Sequence, residues 1–476
     1  MKTLLLFLFF TLTICKSLQA QQKTEAYFGH PNKWDQADDI IELYDKGYFI
    51  TGGYEGDPHH FGWNIKTDIN LEFIYDKVME HELSTVAQFA SASDSNGNIY
   101  VTGFTTYPDQ WPFVTKIDSC GNKAWCRILQ YDGEFEDGDA NDILITDDNE
   151  IIVLADYDSE EEIDKLHLIG LNENGEVLWI KPYASKTDYP WIREPNAYSI
   201  KEINNDYYIS GYCYWPYPDD TTHFFLRPLF IGIDSLFEEK WILPFAPLDS
   251  VFGDAYDVAA LNDTIILGIG ERWLEGYNMN SLFMFFNTDG QEIGYNQIPN
   301  EDIGSNVEFN AIRNIEVVSD TEFLSPLYVG IDFETYFGEL TYDTSGSIQN
   351  QMIRGIYSGT SSITKTFDDK YVIAIEVDEN KADDDIYVYK IDENLNDVPF
   401  DPTPHTYDSL CPGGIQSGAI DLTSCFVWTD ISEAPSPGEY YSFIQTIPVK
   451  VYPNPATEGS VTFEFENTEH LPSAPP

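Results

Sequence analysis

The sequence predicts an all-β fold, a seven-bladed β-propeller, on the strength of a recurring pattern and its spacing. Each copy reads as an apolar strand, a polar turn, a second strand ending in Gly, a variable loop and a third strand closing in Asp or Asn. The closing residues stand on average about 54 residues apart, close to the ~40 to 50 residues of a propeller blade. They are Asp68, Asp118, Asn172, Asp234, Asn287, Asp343 and Asp392. We therefore expect residues 21–402 to form seven blades.

Composition excludes two classes of protein. The 476 residues include 81 acidic and 25 basic side chains, giving a formal charge of −56. Such a chain lacks the Lys and Arg that displace counterions from phosphates, so a nucleic-acid partner is not expected. The 10 Trp, 31 Tyr and 30 Phe are far more aromatics than an acidic disordered chain contains.

The first 20 residues read as a secretory signal peptide, with Lys2 followed by an apolar run over 4–14 and cleavage expected after Ala20. The run is shorter than the ~18 residues needed to cross a bilayer, so no membrane span is expected. A lipoprotein signal at Cys15 is the alternative, but Ile14 stands where Gly or Ala is preferred. The protein is expected to be secreted or displayed on the outer cell surface.

The seven closing Asp and Asn residues have two interpretations. A ring of metal ligands is one. We favour the other, because Asp and Asn accept hydrogen bonds from backbone amides two residues on and so start tight turns. The ring of blades must also close, and residues 25–29 read as an outer strand without a blade. They are expected to complete the seventh blade, which hides the sheet edges.

Function is expected in the long loops, where aromatic rings next to Pro can stack on sugars or grip extended peptides. The alternative is that these rings pack down as lids over their own blades. The candidate ligand-binding residues are Trp111, Tyr189, Trp191, Tyr214, Trp215, Tyr217 and Trp273.

Catalytic and metal-binding signals are weak. No catalytic residues are assigned, and a pair of carboxylates at a suitable separation is uninformative among 81 acidic residues. No cofactor and no metal ligand are assigned. Calcium is an option in the acidic stretch 132–139, although its Gly is misplaced for an EF-hand loop.

Removal of the signal peptide leaves five cysteines, an odd number for an oxidising compartment. Cys411 and Cys425 lie in a loop-rich stretch and are the expected disulfide. The pairing of Cys120, Cys126 and Cys213 stays open.

The runs 45–52 and 98–103 resemble the secreted β-propeller repeats common in Bacteroidetes, and the resemblance covers residues 35–402. Near the end of the chain, Tyr452, Pro453, Asn454, Pro455 and Ala456 are similar to the opening of a type A sorting domain of the type IX secretion system. That resemblance implies a partial, truncated β-sandwich over 448–476 and the type IX machinery as a partner. Residues 403–447 are expected to be a loop-rich linker, or to pack against the propeller base.

Two classes of function follow. The first is a non-enzymatic module that binds a glycan or protein ligand through the long-loop side of the propeller. The second is a propeller hydrolase or lyase acting on polysaccharide. An enzyme needs convergent ionisable groups with shifted pKa values near the central channel, whereas a binding module needs exposed rings and hydrogen-bonding groups.

Overall fold

Seven antiparallel sheets, each contributing one blade, follow one another along the chain in the computed structural model. The structure describes residues 23–106, 109–130, 135–159, 166–185, 188–217, 220–245, 252–273, 279–356, 359, 361–378, 384–411, 413–428, 449–451 and 463–465. The predicted seven-bladed β-propeller is confirmed. The predicted signal peptide lies outside the described residues.

The strand order within each blade runs outward from the centre. Blade 1 contains β2 (Asp35–Glu42), β3 (Tyr48–Tyr54), β4 (Phe61–Thr67) and β5 (Phe73–Glu80), and blade 2 contains β6 (Val86–Ser93), β7 (Ile99–Thr105), β8 (Trp111–Ile117) and β9 (Lys123–Leu129). Blade 3 contains β10 (Phe135–Ile145), β11 (Ile151–Ser159), β12 (Leu166–Leu171) and β13 (Val177–Tyr183), and blade 4 contains β14 (Arg193–Ile203), β15 (Asp206–Tyr217), β16 (Asp220–Ile233) and β17 (Glu239–Pro244).

Blades 5 and 6 follow the same order, with one short helix between them. Blade 5 contains β18 (Gly253–Asn262), β19 (Ile265–Trp273), β20 (Met279–Asn287) and β21 (Glu292–Gln297), followed by α1 (Asn300–Ile303). In blade 6 the inner position is shared by β22 (Val307–Ala311) and β23 (Glu316–Ser319), both paired with β24 (Glu322–Ile331), and β25 (Glu334–Asp343) and β26 (Ile348–Ile356) complete the sheet.

Blade 7 is built from both ends of the propeller. It contains β27 (Ser361–Lys365), β28 (Tyr371–Val377) and β29 (Asp385–Ile391), and its outer strand is β1 (Glu25–Phe28). Glu25 lies opposite Tyr389 and Phe28 opposite Ile386 in an antiparallel register. The predicted closure by the N-terminal strand is therefore confirmed.

The tight turns between third and fourth strands are built by the closing Asp and Asn residues. Asp118 Oδ1 accepts hydrogen bonds from the amides of Cys120 and Asn122, both at 2.9 Å. Asp392 makes the same two contacts with Asn394 and Asn396, again at 2.9 Å. Equivalent side-chain contacts occur at the other five positions. The turn-forming interpretation is confirmed.

The hydrophobic core lies between neighbouring blades, since each sheet buries both faces. Small residues allow close packing there. On blade 3 the ring of Trp179 covers Gly170, where an added Cβ would lie 2.3 Å from the ring. Trp241 covers Gly232 on blade 4 in the same way, at 2.2 Å.

Beyond blade 7 the chain returns along blades 1 and 2 as a strap, which we define as residues 401–411 and 413–428. Within it, β30 (Gly418–Asp421) pairs in parallel with β5, and β31 (Phe426–Trp428) pairs in parallel with β9. Part of the segment predicted as a linker thus packs against the propeller. Farther on, β32 (Val449–Val451) pairs with β33 (Phe463–Phe465), and residues 452–456 lie outside the described residues.

The predicted disulfide between Cys411 and Cys425 is wrong. Cys411 is bonded to Cys120, and Cys425 is bonded to Cys126. The prediction paired cysteines that are close in sequence, but the strap lies along blade 2, so each of its cysteines meets a partner about 290 to 300 residues away. Cys213 is free and buried.

Candidate functional site

The two faces of the propeller differ in the loops that surround the channel. Loops joining second to third strands and loops joining successive blades emerge on one face, which we call the long-loop face. Its tallest feature is the hairpin of β15 and β16, strands of 12 and 14 residues. The opposite face carries the seven Asp and Asn turns.

Five inner strands contain a β-bulge at the same height in the channel. Their register shifts fall at Ala37/Asp39, Gln88/Ala90, Ala140/Asp142, Ala197/Ser199 and Ala255/Asp257. A bulge inserts one extra residue and redirects its side chain. The inserted residues are Asp38, Phe89, Asn141, Tyr198 and Tyr256. All seven blades contribute to the channel cavity of about 300 Å³, and four of these residues line it.

Three aspartates that follow the bulges lie on blades 1, 3 and 5, and each connects its own blade to the next one. Asp39, Asp142 and Asp257 each accept a hydrogen bond from the amide that follows them in sequence. Their second oxygens accept hydrogen bonds from backbone amides of the next blade, from Ser91 at 2.8 Å, Ile200 at 2.8 Å and Ile315, between β22 and β23, at 3.1 Å. Burial raises the pKa of Asp39, and it raises that of Asp142 to about 7. We assign these three carboxyls to holding the ring together.

Polar and aromatic side chains of blades 3 to 6 contact one another around Asn141 and Tyr198, two of the residues that line the channel. We call this group the channel mouth. It comprises Asp139, Asn141, Asp156, Asn196, Tyr198, Tyr212, Asp254, Tyr256, Glu271 and Arg313.

Two pairs of carboxyl groups occupy equivalent positions in the channel mouth. Asp139 lies opposite Asp156 on blade 3, and Asp254 lies opposite Glu271 on blade 5. Burial raises the pKa of Asp139 to about 6. Burial, reinforced by the charge of neighbouring carboxylates, raises the pKa of Asp156 to about 8 and that of Asp254 to about 7. Protonation relieves the repulsion between like charges placed directly across two strands.

The two carboxyl pairs differ in the hydrogen bonds that they accept. Both oxygens of Asp156 accept side-chain amides, from Asn141 at 2.8 Å and Asn196 at 2.6 Å. Asp254 is 4% exposed, and within the described residues its Oδ1 has no hydrogen-bond partner. Its Oδ2 receives only long contacts of 3.4 Å from two tyrosine hydroxyls, those of Tyr198 and Tyr256. The blade 5 pair is therefore the less satisfied of the two.

Tyrosine rings fill the space between the carboxyl pairs. Tyr198 stacks on Tyr256 with ring centroids 4.7 Å apart, and Tyr212 lies 5.8 Å from Tyr198. The Arg313 guanidinium lies 5.1 Å from the ring of Tyr256, while its Nε donates to Glu271 at 3.1 Å. These tyrosines are half-buried. The channel mouth thus presents restrained aromatic faces beside hydrogen-bonding groups.

Three of the predicted ligand-binding residues form one aromatic group at the long-loop end of blade 4. Trp191 is 47% exposed and makes edge contacts at 6.4 Å with both Tyr189 and Trp215. The Tyr189 hydroxyl donates to Glu239 at 2.5 Å, which fixes its ring. Trp191 is therefore exposed, whereas Tyr189 and Trp215 are half-buried and pack against the core of blades 3 and 4.

The remaining predicted residues are dispersed. Tyr214 contacts the channel mouth through Tyr212, at 6.4 Å, and Trp273 is 49% exposed at the end of β19. Tyr217 ends β15, and its side chain lies outside the described part of the chain.

The prediction that Trp111 lies in a loop and contacts a ligand does not match the structure. Trp111 is 3% exposed and packs in the core between blades 2 and 3. Its centroid lies 6.3 Å from that of Tyr157 on blade 3. Sequence placed Trp111 in a loop, whereas it is the first residue of β8, facing the next blade.

The carboxyl pairs and the bulge residues were missed by reasoning from sequence. A signal was present, since a polar residue, Ala, any residue and then Asp or Ser recurs at the start of four inner strands. The four copies span 36–39, 139–142, 196–199 and 254–257. The partners on second strands carry no such signal, because only the register of each hairpin places them opposite.

Within the described ranges, no group of three His, Cys, Asp or Glu side chains is placed to hold a metal ion. The calcium hypothesis concerned a stretch whose first residues, 132–134, lie outside those ranges. In the same part of the chain, no helix is long and apolar enough to cross a membrane.

No model of a known protein family matches the sequence, and no curated protein matches it. Among solved structures, the chain is similar to a protein of unknown function from Bacteroides caccae (13% identity, TM-score 0.34), covering 62% of this chain and 90% of that one. It is similar to a subtype N10 neuraminidase-like protein of A/little yellow-shouldered bat (11% identity, TM-score 0.36), covering 76% of this chain and 96% of that one. A levansucrase mutant of B. megaterium matches at 9% identity and a TM-score of 0.32, covering 74% and 96%. Likenesses this weak carry no functional conclusion, and the fold assignment stands on the chain's own seven sheets.

Proposed function

We propose that this protein is a secreted or surface-displayed propeller that binds a glycan at the channel mouth. One observation carries the proposal: half-buried tyrosines, held in place by stacking and by Arg313, lie between two carboxyl pairs on the long-loop face. Aromatic faces stack on the apolar faces of sugar rings, while carboxyl and amide groups bind their hydroxyls. Little entropy is lost on binding because these side chains are already restrained.

Charge narrows the class of ligand. A molecule with a net charge of −56 repels polyanions, and the carboxyl pairs add to this repulsion locally. A neutral polysaccharide is therefore the preferred ligand, and a protein ligand is the alternative. Trp191 and its aromatic neighbours give a second contact surface on the same face, suited to a ligand longer than one sugar.

The proposed location, outside the cell or on its surface, requires that the protein be exported. We propose that residues 1–20 direct secretion and that residues 452–456 belong to a type A sorting segment recognised by the type IX machinery. The two disulfides are typical of a protein that folds in an oxidising compartment. The repeat resemblance to secreted Bacteroidetes propellers points the same way.

Cleavage of the glycan is the second candidate function, and the blade 5 pair favours it. Asp254, with its pKa raised to about 7, is protonated in a large fraction of molecules at pH 7, while Arg313 forms an ion pair with Glu271. Carboxyls whose environments differ in this way suit the roles of general acid and base. Asp254 would protonate a leaving oxygen, and Glu271 would accept a proton or stabilise positive charge.

The test is incubation of the full chain with a panel of neutral and acidic polysaccharides, measuring retained protein and released oligosaccharide together. Binding predicts retention on a neutral polysaccharide without product. Cleavage predicts product that is lost in Asp254→Asn while retention persists. Absence of both retention and product contradicts the glycan proposal and directs attention to protein ligands.

A further inference from the structure

A separate pocket opens on the long-loop face between blades 1 and 2. Its volume is about 230 Å³, smaller than the ~300 to 1,000 Å³ of typical drug-sized sites. It adjoins the channel, since Asp38 and Phe89 line both cavities. None of the residues predicted from sequence to bind a ligand lines it.

The pocket exists because two positions that carry carboxyls elsewhere carry small residues here. Ala87 stands on β6 where blade 3 has Asp139, and Gly53 stands on β3 where blade 3 has Asp156. An added Cβ on Gly53 would lie 2.8 Å from the carbonyl oxygen of Phe61. The small residues Gly53 and Ala87 thus leave the space open, and the strands β3 and β6 line it.

Aromatic side chains form the walls. Trp34 is 44% exposed, and its indole N–H donates to Glu376, which fixes the ring. Phe61 lines another wall, and Phe89 and Phe104 contact each other with ring centroids 5.6 Å apart. With Tyr54, five aromatic rings therefore line the pocket.

The polar groups in the pocket favour a cation. Asp38 supplies a carboxyl group, one oxygen of which accepts the side-chain amide of Gln36 at 2.5 Å. The lining contains neither Lys nor Arg, and His60 at the rim is its one basic residue. The nearby Lys33 already lies over the ring of Tyr54, 5.1 Å from its centroid, and donates to the carbonyl of Glu55 at 2.9 Å.

We propose that this pocket binds a quaternary ammonium group. Several aromatic faces around one space attract a cation through their quadrupoles, and this attraction is strongest when the cation has lost its water. A primary ammonium carries three donors and is strongly hydrated, so it would lose hydrogen bonds in a pocket with one carboxyl group. A methylated ammonium has no donors to satisfy. This site is distinct from the channel mouth and does not depend on glycan binding.

Calorimetric titration of the full chain with choline tests the assignment. The comparison ligand is 3,3-dimethylbutan-1-ol, which has the same shape without charge. We expect saturable binding of choline and at least about tenfold weaker binding of the alcohol, the ratio expected of a desolvated cation–π site. Equal affinities for the two ligands, or no saturable binding of choline, would overturn the proposal.

Variants locate the site. Trp34→Ala is expected to abolish choline binding, Trp34→Phe to retain part of it, and Asp38→Asn to weaken it several-fold. Phe333→Ala is the control, since Phe333 is an exposed aromatic residue on the same face but belongs to blade 6. Circular dichroism and thermal unfolding establish that each variant is folded. Choline binding that survives in a folded Trp34→Ala variant would place the ligand elsewhere and contradict the assignment.

Discussion

At the scale of single residues, burial decides the chemistry of the channel mouth. Asp254 and Glu271 face each other across two strands, yet their surroundings differ. Glu271 has Arg313 as a partner, whereas Asp254 has two long contacts to tyrosine hydroxyls and one oxygen without a partner in the described residues. The proton held by Asp254 therefore stabilises the fold, and its loss with rising pH should be measurable.

Replacing Asp254 by Asn should stabilise the protein in a pH-dependent way. The pKa of Asp254 is raised from 3.8 to about 7, so its contribution to stability is complete below pH 4 and is lost as the pH rises through 7. Asn keeps the shape and cannot ionise. We expect thermal unfolding to show that the free energy of unfolding of Asp254→Asn exceeds that of the wild type at pH 8, by at most about 4 kcal/mol, and that the difference is smaller at pH 5.

Asp320→Asn is the control for this experiment, because Asp320 is exposed in a turn of blade 6. Its effect should be small and the same at both pH values. An Asp254→Asn effect that does not change between pH 5 and pH 8 would show that the carboxyl does not hold a proton in the folded state.

Gly170 offers a second test at this scale. The Trp179 ring, whose N–H donates to Glu150, would lie 2.3 Å from a Cβ at this position. Gly170→Ala should therefore lower the free energy of unfolding by about 1 to 3 kcal/mol, as overpacking does. Gly294→Ala is the matched control, because nothing lies within 4 Å of its added Cβ. Urea unfolding of both variants measures the difference, and equal costs would contradict the packing described for blade 3.

At the scale of elements, what sequence could predict depends on the distance over which each contact acts. Asp118 accepts hydrogen bonds from the amides two and four residues away, so the local sequence pattern was enough to predict its role in the turn. The burial of Trp111 could not be predicted in this way, because its ring packs against Tyr157 of the next blade. Pairing of Asp254 with Glu271 depends on hairpin register and a bulge, neither of which composition reveals.

The disulfides show the same limit, and they make the strap a testable element. Cys120–Cys411 and Cys126–Cys425 attach the strap to blade 2, and its two strands pair with β5 of blade 1 and β9 of blade 2. Because they close very long loops, their removal should destabilise the protein, typically by about 2 to 5 kcal/mol for a native bridge. We expect dithiothreitol to lower the thermal midpoint and to expose the strap to limited proteolysis.

Two results would check this account of the strap. Peptide mapping without reduction should recover Cys120 with Cys411 and Cys126 with Cys425. A peptide joining Cys411 to Cys425 would contradict the pairing. Cys213→Ala is the control, since this buried free thiol should leave the effect of the reductant unchanged.

At the scale of the whole molecule, the net negative charge destabilises the folded state, and closure of the ring of blades stabilises it. A net charge of −56 repels itself, while β1 closes blade 7 and the cores between blades hold the ring. Several buried carboxyls add to the same pH dependence, because the pKa values of Asp142 and Asp156 are raised to about 7 and about 8. Their stabilising contributions are lost as the pH rises through those values.

We therefore expect NaCl to raise the thermal midpoint more at pH 8 than at pH 5. At an ionic strength of about 0.15 M the screening length is about 8 Å, short enough to weaken repulsion between surface carboxylates. A series of thermal scans from low salt to that concentration measures the effect. A salt effect of the same size at both pH values would show that repulsion among ionised carboxyls does not limit stability.

We propose that the channel mouth on the long-loop face binds a glycan. Affinity electrophoresis of the full chain through gels containing neutral polysaccharides tests it most directly, comparing the wild type with a Tyr198→Ala, Tyr256→Ala double variant. Phe73→Ala is the control, since Phe73 is 52% exposed beside a tight turn on the opposite face. We predict retardation of the wild type and of Phe73→Ala on at least one polysaccharide, with loss of retardation in the folded double variant. Equal retardation of all three proteins, or retardation of none, would contradict the claim.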